Sequence, residues 1–147
     1  MVIVRFILLF ASALGFLVSM YFSLATYNII REDLIESMPV CNLHGEKQRI
    51  VDTKYGRVLW LPNSLYGLLY YTGIFGVGVY GWLQQPPVIE YGLLTGSAGV
   101  VGFSLFLFWA LLKKLRTPCR LCITSHILNI IIFVLLSIRW ILVHQDF

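Results

Sequence analysis

Charged residues are scarce in this sequence. They make up 12% of its 147 residues, against roughly 25% in a typical soluble domain. Hydrophobic residues account for 59%, and the mean hydropathy is +0.82. Four membrane spans of about 20 residues need about 80 apolar positions, which nearly consumes the apolar residues available. The scarcity of charge therefore excludes a soluble domain and favours a bundle of four membrane helices.

Cysteine is also rare. The chain has three cysteines, too few for the disulfide framework of a small secreted protein. Lys and Arg outnumber Asp and Glu by 11 to 7, but they lie in short connections without the aromatic platform of a nucleic-acid-binding surface. We therefore predict no nucleic-acid partner. Because one pair is spaced Cys119-x-x-Cys122, redox or metal chemistry is the question that the cysteines raise.

Long apolar runs predict the fold. A bilayer core offers backbone groups no water, so spanning segments are helices or strands of a closed barrel, and a barrel needs many more strands than this chain provides. The predicted helices lie at about 6–30, 59–83, 91–112 and 118–143. The sequence thus predicts an all-α fold, a polytopic four-transmembrane-helix bundle in the lipid bilayer, in which residues 1–147 form a single domain.

The second and third predicted helices are rich in glycine, which in membranes allows helices to approach closely. We expect close packing at Gly67, Gly73, Gly76, Gly78, Gly81, Gly92, Gly96, Gly99 and Gly102. Residues 84–90 between the two helices predict a tight turn.

An even number of crossings has a functional consequence. The segment from 29 to 58, which contains the predicted loop at about 31–58, must lie on the same side of the membrane as the link at 113–117. Cys41 therefore faces the same side as Cys119 and Cys122.

The cysteine pair opens the fourth predicted helix. Thr117 is a candidate N-cap and Pro118 fits the first helical position, so both thiols fall in the first turns and share a face. The partial positive charge at a helix N-terminus, helped by Arg120, favours a thiolate over a thiol. This placement suits a redox-active dithiol.

Other interpretations of the pair are weaker. Attachment of a c-type haem needs His directly after the second cysteine, and Ile123 is there. A zinc site with Cys41 and His44 or His126 would have enough ligands, but a pair on a membrane helix and a distant loop cysteine make poor geometry. Two inert structural cysteines are the remaining alternative. We predict no metal ligands.

Polar residues also mark the start of the second predicted helix. Asn63 and Ser64 follow a proline at the membrane boundary, on the same side as the cysteine pair. With Tyr66, Tyr70 and Tyr71 they can surround a pocket for an apolar ring whose oxygens become anionic on reduction, because an amide can donate to an oxygen and aromatic rings can cover the faces. The alternative is that Asn63 and Ser64 only cap the helix.

Taken together, these residues resemble a known family. The sequence from 119 to 129, the sequence from 61 to 71 and Cys41 in the first loop are similar to the vitamin K epoxide reductase family. The resemblance covers essentially the whole chain. It implies a four-helix core whose last helix carries a cysteine pair that exchanges electrons with a membrane quinone.

The resemblance also implies roles for single residues. Cys122 matches the cysteine that meets the quinone, Cys119 its partner and resolving thiol, and Asn63 the amide that hydrogen-bonds a quinone oxygen. His126 occupies the position at which vertebrate members have a quinone-contacting tyrosine, which implies a hydrogen bond of different geometry and a role in proton transfer.

The loop departs from the family pattern. Members usually carry two loop cysteines that relay electrons from a thioredoxin-like partner, and Cys41 matches the first. The second would fall near Lys47, yet no cysteine is present from 42 to 118. Three interpretations stay open: the partner attacks the Cys119–Cys122 disulfide directly, Cys41 acts alone through a mixed disulfide, or the chain is an altered member.

The basic residues predict an orientation. Nine of the eleven Lys and Arg lie in the first loop or around the start of the fourth helix, and only Arg5 and Arg139 lie at the opposite side. The positive-inside rule then places the cysteine end in the cytoplasm of a multi-pass cell-membrane protein. Most relatives would place it outside, where disulfides persist.

The resulting hypothesis is a membrane thiol:quinone oxidoreductase. It passes electrons from thioredoxin-like partner thiols through Cys119 and Cys122 to a quinone of menaquinone, ubiquinone or vitamin K type, and so forms disulfides in other proteins. A narrower alternative is reduction of vitamin K epoxide or quinone. An alternative of another class is a non-catalytic or metal-binding four-helix membrane protein.

Overall fold

The part of the chain that the structure describes contains four α-helices, as the sequence predicts. The computed structural model describes residues 2–27, 29, 57–58, 60–80, 86–115 and 120–144. The helices are α1 (Val2–Thr26), α2 (Asn63–Tyr80), α3 (Pro87–Ala110) and α4 (Arg120–His144). The predicted all-α bundle is therefore confirmed.

Three of these helical segments are long and apolar enough to cross a bilayer, as judged by length and composition: Val2–Thr26, Pro87–Lys114 and Arg120–His144. The helix α2 is shorter, with 18 residues, or about 27 Å at 1.5 Å per residue. The chain is thus a membrane protein with a short second helix.

The first helix begins and ends about four residues earlier than predicted. The sequence predicts Arg5 outside the span, but the residue lies within α1, where its guanidinium donates from Nε to the Gly78 carbonyl and from Nη2 to the Val79 carbonyl, each at 2.9 Å. These carbonyls belong to the last turn of α2, where acceptors lack helical partners. The charge therefore has a partner inside the bundle and does not end the helix.

A short β-hairpin precedes α2, where the sequence predicted helix from about residue 59. Strands β1 (Arg57–Val58) and β2 (Leu61–Pro62) pair antiparallel. Trp60 in the turn has a φ of 74°, a backbone conformation that is strained for a bulky residue. Proline removes a backbone donor and restricts the residue before it to extended conformations, so the helix starts only at Asn63.

The third helix also differs from its prediction at both ends. It starts at Pro87, so four of the residues assigned to a tight turn at 84–90 form its first turn. Proline suits this position because its missing N–H has no partner there. At the other end a wider π-helical turn, Leu111–Leu115, follows α3 and extends into the predicted link at 113–117.

The core lies between α1, α2 and α4. The helix α1 packs against α2 and α4, and α4 also packs against α3. The core consists of Leu8, Ala11, Tyr71, Ile74, Leu128, Ile132, Leu135 and Leu136. The α2 and α4 members recur three or four positions apart, which aligns them along one face of each helix.

Close packing explains only some of the glycines. A Cβ added at Gly67 would meet the Ser19 side chain, and one at Gly78 would meet Leu9. Gly15 of α1, which the sequence analysis did not single out, lies directly against the Tyr71 ring. In contrast, no described atom lies within 4 Å of a Cβ added at Gly73, Gly76, Gly92, Gly96, Gly99 or Gly102. For these six the predicted close packing is wrong, and Gly81 lies outside the described residues.

The end of the bundle opposite the cysteines holds a buried ion pair. Arg139 of α4 lies 3.6 Å from Glu90 of α3, with side chains 5% and 10% exposed. Pairing is what makes two charges tolerable in a low-dielectric interior. The pair fastens α3 to α4 at this end of the bundle.

Candidate functional site

A cavity of about 420 Å³ opens among all four helices. This volume falls within the range of small-molecule binding sites. The sequence-predicted residues that line it are Asn63, Ser64, Tyr66, Tyr70, Tyr71, Cys122 and His126. The structure therefore brings together every predicted site residue that it describes.

Cys122 lines this cavity and lies in the first turn of α4 as the structure describes that helix. Its side chain is half-buried. It packs with Leu111, Phe22, Leu121 and Ile123 in a small apolar cluster. The thiol thus borders both the cavity and an apolar wall that limits the approach of water.

The π-helical turn supplies part of that wall. Leu111, its first residue, is 3% exposed and lies in the cluster around Cys122. Lys113 and Lys114 in the same turn are exposed. Such turns are rare in helices and are frequent at functional sites.

Two polar residues from the start of α2 line the cavity near Cys122. Ser64 accepts a hydrogen bond from the Ser23 hydroxyl of α1 at 3.0 Å, so it ties two helices together and is not only a cap. Asn63 has a half-buried side chain and borders the same space. An amide at this position can donate to an oxygen on a bound ring.

Tyr70 links α2 to α3. Its hydroxyl donates to Ser97 Oγ at 3.1 Å, and it also borders a second cavity of about 290 Å³ between these helices. Both cavities share Tyr70, Gly96 and Val100 in their linings. The main cavity therefore continues toward the α2–α3 boundary, where glycines leave open space.

His126 lies one helical turn beyond Cys122 and borders the cavity. The Phe108 ring packs against its imidazole edge to face, with centroids 6.0 Å apart. Its Nδ1 atom is buried and has no hydrogen-bond partner among the described residues. Buried polar atoms are nearly always paired, so this nitrogen suits a contact with a ligand.

Sequence reasoning predicted Tyr71 at the cavity but missed its hydrogen-bonding partners Asn129 and Ser104, which also line it. Tyr71 donates to Asn129 Oδ1 at 2.7 Å, and Asn129 Nδ2 donates to Ser104 Oγ at 2.6 Å. Asn129 lies seven residues after Cys122, and this spacing places both on one helix face. That periodicity was available in the sequence, whereas the partner Ser104 on α3 was not.

Three predictions concern residues outside the described part of the chain. Cys41 and Cys119 both lie there, as does His44 of the zinc alternative. Within the described residues, no three His, Cys, Asp or Glu side chains come together as metal ligands.

Comparison with known proteins identifies one family. The family model described as the vitamin K epoxide reductase family matches residues 6–137. This range covers most of the chain and contains all four helices in large part. No curated protein matches the sequence.

Proposed function

Because the chain belongs to the vitamin K epoxide reductase family, an oxidoreductase family, we propose that this membrane redox enzyme is a thiol:quinone oxidoreductase. In this proposal it forms disulfides in other proteins by passing their electrons through Cys119 and Cys122 to a quinone. The observation that carries the proposal is the cavity in which Cys122 meets Asn63, Tyr70 and His126.

The lining of the cavity fits a quinone of menaquinone, ubiquinone or vitamin K type. The exposed surface of its walls is mostly apolar, as is typical of small-molecule sites, and polar side chains from all four helices add hydrogen-bonding groups to it. The amide of Asn63 is suited to one oxygen of such a ring, and the Nδ1 of His126, which has no hydrogen-bond partner among the described residues, borders the same space. The quinone would supply an acceptor for two electrons and two protons, and would leave as hydroquinone.

The residues of the chain then have separate tasks. The Cys122 sulfur delivers an electron pair toward the cavity, and the Cys119 sulfur attacks it to form the Cys119–Cys122 disulfide. Two thiols lose two electrons and two protons in this step. Asn63 donates a hydrogen bond that stabilises developing negative charge on an oxygen, and His126 is placed to transfer a proton.

A thioredoxin-like protein is the proposed electron donor. Its dithiol reduces the Cys119–Cys122 disulfide and becomes a disulfide itself, so the electrons balance. Cys41 is the proposed point of entry through a mixed disulfide. Direct attack of the partner on the Cys119–Cys122 pair is the alternative, because no second loop cysteine is present from 42 to 118.

We further propose that all four helices cross the membrane and that the cysteine end faces the cytoplasm. The positive-inside rule supports this orientation. The opposite end has two basic residues, and both are engaged within the bundle, since Arg5 binds carbonyls of α2 and Arg139 pairs with Glu90. A membrane-impermeant maleimide applied to intact cells checks the orientation through Cys41. Ready labelling would place the cysteines outside.

Quinone reduction by the detergent-solubilised chain with a dithiol donor tests the proposed activity. We expect Cys122→Ala to abolish reduction and Cys119→Ala to block turnover, because each lacks a thiol of the pair. Thr124→Ala is the matched control, since Thr124 is exposed on the same helix and, among the described residues, donates its hydroxyl to the Arg120 carbonyl of the same helix at 2.9 Å.

Full turnover by both cysteine variants would contradict the proposal. Stoichiometric zinc in the purified protein, with no Cys119–Cys122 disulfide by mass spectrometry, would favour the metal-binding alternative.

A further inference from the structure

Three polar side chains form a continuous chain of hydrogen bonds in the main cavity. Tyr71 of α2, Asn129 of α4 and Ser104 of α3 are 2%, 9% and 4% exposed, respectively. All three line the cavity. The group is therefore a buried, hydrogen-bonded polar cluster in a space whose exposed surface is mostly apolar.

The Tyr71 hydroxyl determines which groups donate and which accept in this chain of hydrogen bonds. A hydroxyl has a single proton, and the nearer of its two acceptors is Asn129 Oδ1 at 2.7 Å, against 3.4 Å for the Ser125 carbonyl. The amide oxygen of Asn129 therefore faces Tyr71, and its nitrogen faces Ser104. One N–H of the amide donates to Ser104, and the second has no acceptor among the described residues.

Ser104 also keeps a donor. Its oxygen accepts from Asn129 at 2.6 Å. On α4, Ser125 and Ser137 donate to the carbonyl four residues earlier, at 3.4 and 2.8 Å, but Ser104 has no such acceptor in the part of the chain that the structure describes. A buried hydroxyl donor without an acceptor is unfavourable, and a ligand oxygen in the cavity would satisfy it.

We propose that Asn129 and Ser104 form a second hydrogen-bonding site, which takes the ring oxygen of the quinone that lies farther from Cys122. Tyr71 is a positioning residue that holds the Asn129 amide in its donating orientation. Cys122 and Asn129 lie seven residues apart on one helix face, about 10 Å along the axis. The cavity thus has donors at two levels, Asn63 near the thiol and this pair deeper in the bundle.

This inference rests on the proposed function and makes it more specific. A ring with two oxygens in para positions satisfies both levels, whereas a ring with one oxygen satisfies only one. Loss of a single hydrogen bond in a buried site corresponds to a change of several-fold in affinity. The site therefore selects rings that carry two acceptor oxygens.

Equilibrium dialysis with the full, detergent-solubilised chain tests the selection. The probes are 2,3-dimethyl-1,4-naphthoquinone, whose methyl groups prevent thiol addition, and 2,3-dimethyl-1-tetralone, which lacks the second oxygen. We expect Tyr71→Phe and Ser104→Ala each to weaken binding of the two-oxygen ring about fivefold and to weaken the one-oxygen ring clearly less, because its single oxygen can bind at Asn63 instead. The double variant should bind the two-oxygen ring no more weakly than the weaker of the two single variants does, because both changes act on one chain of hydrogen bonds.

Ser137→Ala is the matched control. It removes a hydroxyl of α4 that bonds the Phe133 carbonyl and does not line the cavity, so both affinities should stay at their wild-type values. Equal losses for the two rings, or no loss for either, would overturn the second site and leave the proposed function standing. If the wild-type chain binds neither ring, the proposed function fails together with this inference.

Discussion

The interface of α1 with α2 and the open face of α3 use glycine in opposite ways. At the first, Gly15, Gly67 and Gly78 have neighbouring side chains where a Cβ would stand. On α3, Gly96 and Gly99 face the main cavity and have no described atom within 4 Å of that position. The absence of a side chain permits close contact at the interface of α1 with α2, and it leaves open volume on α3.

This difference separates a supporting wall from a binding space. Tyr71 is held between Gly15 of α1 and Asn129 of α4, so one side of the cavity is fixed by tight packing. Interiors at this density transmit small changes in shape. On the α3 side of the cavity, Gly96 and Gly99 leave space that a ligand can occupy without displacing a side chain.

Gly15→Val should have the largest effect on stability. A Cβ at this position overlaps the Tyr71 ring, which is buried and cannot move aside without breaking its bond to Asn129. Overpacking of a dense core costs about 1–3 kcal/mol and sometimes more, and we expect about 3 kcal/mol here. Unfolding in mixed detergent–SDS micelles measures the loss.

Gly76→Val is the matched variant for that measurement. Gly76 lies in α2 with no described atom within 4 Å of an added Cβ, so the free energy of unfolding should change by less than about 1 kcal/mol, the range of a helix-propensity change. Equal losses for the two variants would remove the distinction between the two regions.

Gly99→Leu should fill the cavity and leave the fold intact. Its Cβ meets no described atom, and Gly99 lines the main cavity. We expect binding of 2,3-dimethyl-1,4-naphthoquinone to fall at least tenfold, or about 1.4 kcal/mol at 25 °C. Gly102→Leu is the control, because Gly102 has the same open surroundings but lines neither cavity. Loss of binding by the control would show that the effect is not local.

Arg5→Met should weaken the junction of α1 and α2. The variant keeps an apolar stem but loses two hydrogen bonds to the end of α2, and we expect a loss of about 1 kcal/mol in the free energy of unfolding. Arg5→Lys keeps the charge without the planar pair of donors, so it should fall between wild type and Arg5→Met. A neutral result for Arg5→Met would mean that water replaces the guanidinium at these carbonyls.

Gly102→Ala should have the smallest effect, and with the opposite sign. An exposed glycine inside a helix is less favourable than alanine by roughly 0.5–1 kcal/mol, and no described atom opposes the added Cβ. The same unfolding experiment should show a gain of about 0.5 kcal/mol. A loss would indicate that another surface packs against this position.

The sequence supports the fold class and the residues of the cavity better than it supports helix ends. Membrane helices follow from long apolar runs because backbone groups must be satisfied within the segment. Asn63, Cys122 and His126 meet in one cavity because helix starts on the same side of a bundle lie close together. These features depend on short-range pattern and on the parity of crossings.

Features that depend on the neighbouring helix could not be predicted. A glycine pattern is identical whether the facing side is a Tyr71 ring or empty space, so Gly15 was missed and Gly96 and Gly99 were misread. The start of α1 was placed late because Arg5 is satisfied by carbonyls more than 70 residues away in sequence. Such contacts are decided by tertiary packing.

The π-helical turn at Leu111–Leu115 has a consequence for how the chain tolerates change in length. A π turn holds about one residue more per turn than an α-helix. If one residue of this turn is deleted, the turn can therefore rewind into α-helical geometry. The preceding helix α3 then keeps its rotation about its own axis. The fold can therefore tolerate the loss of one residue at this turn, which lies next to Cys122.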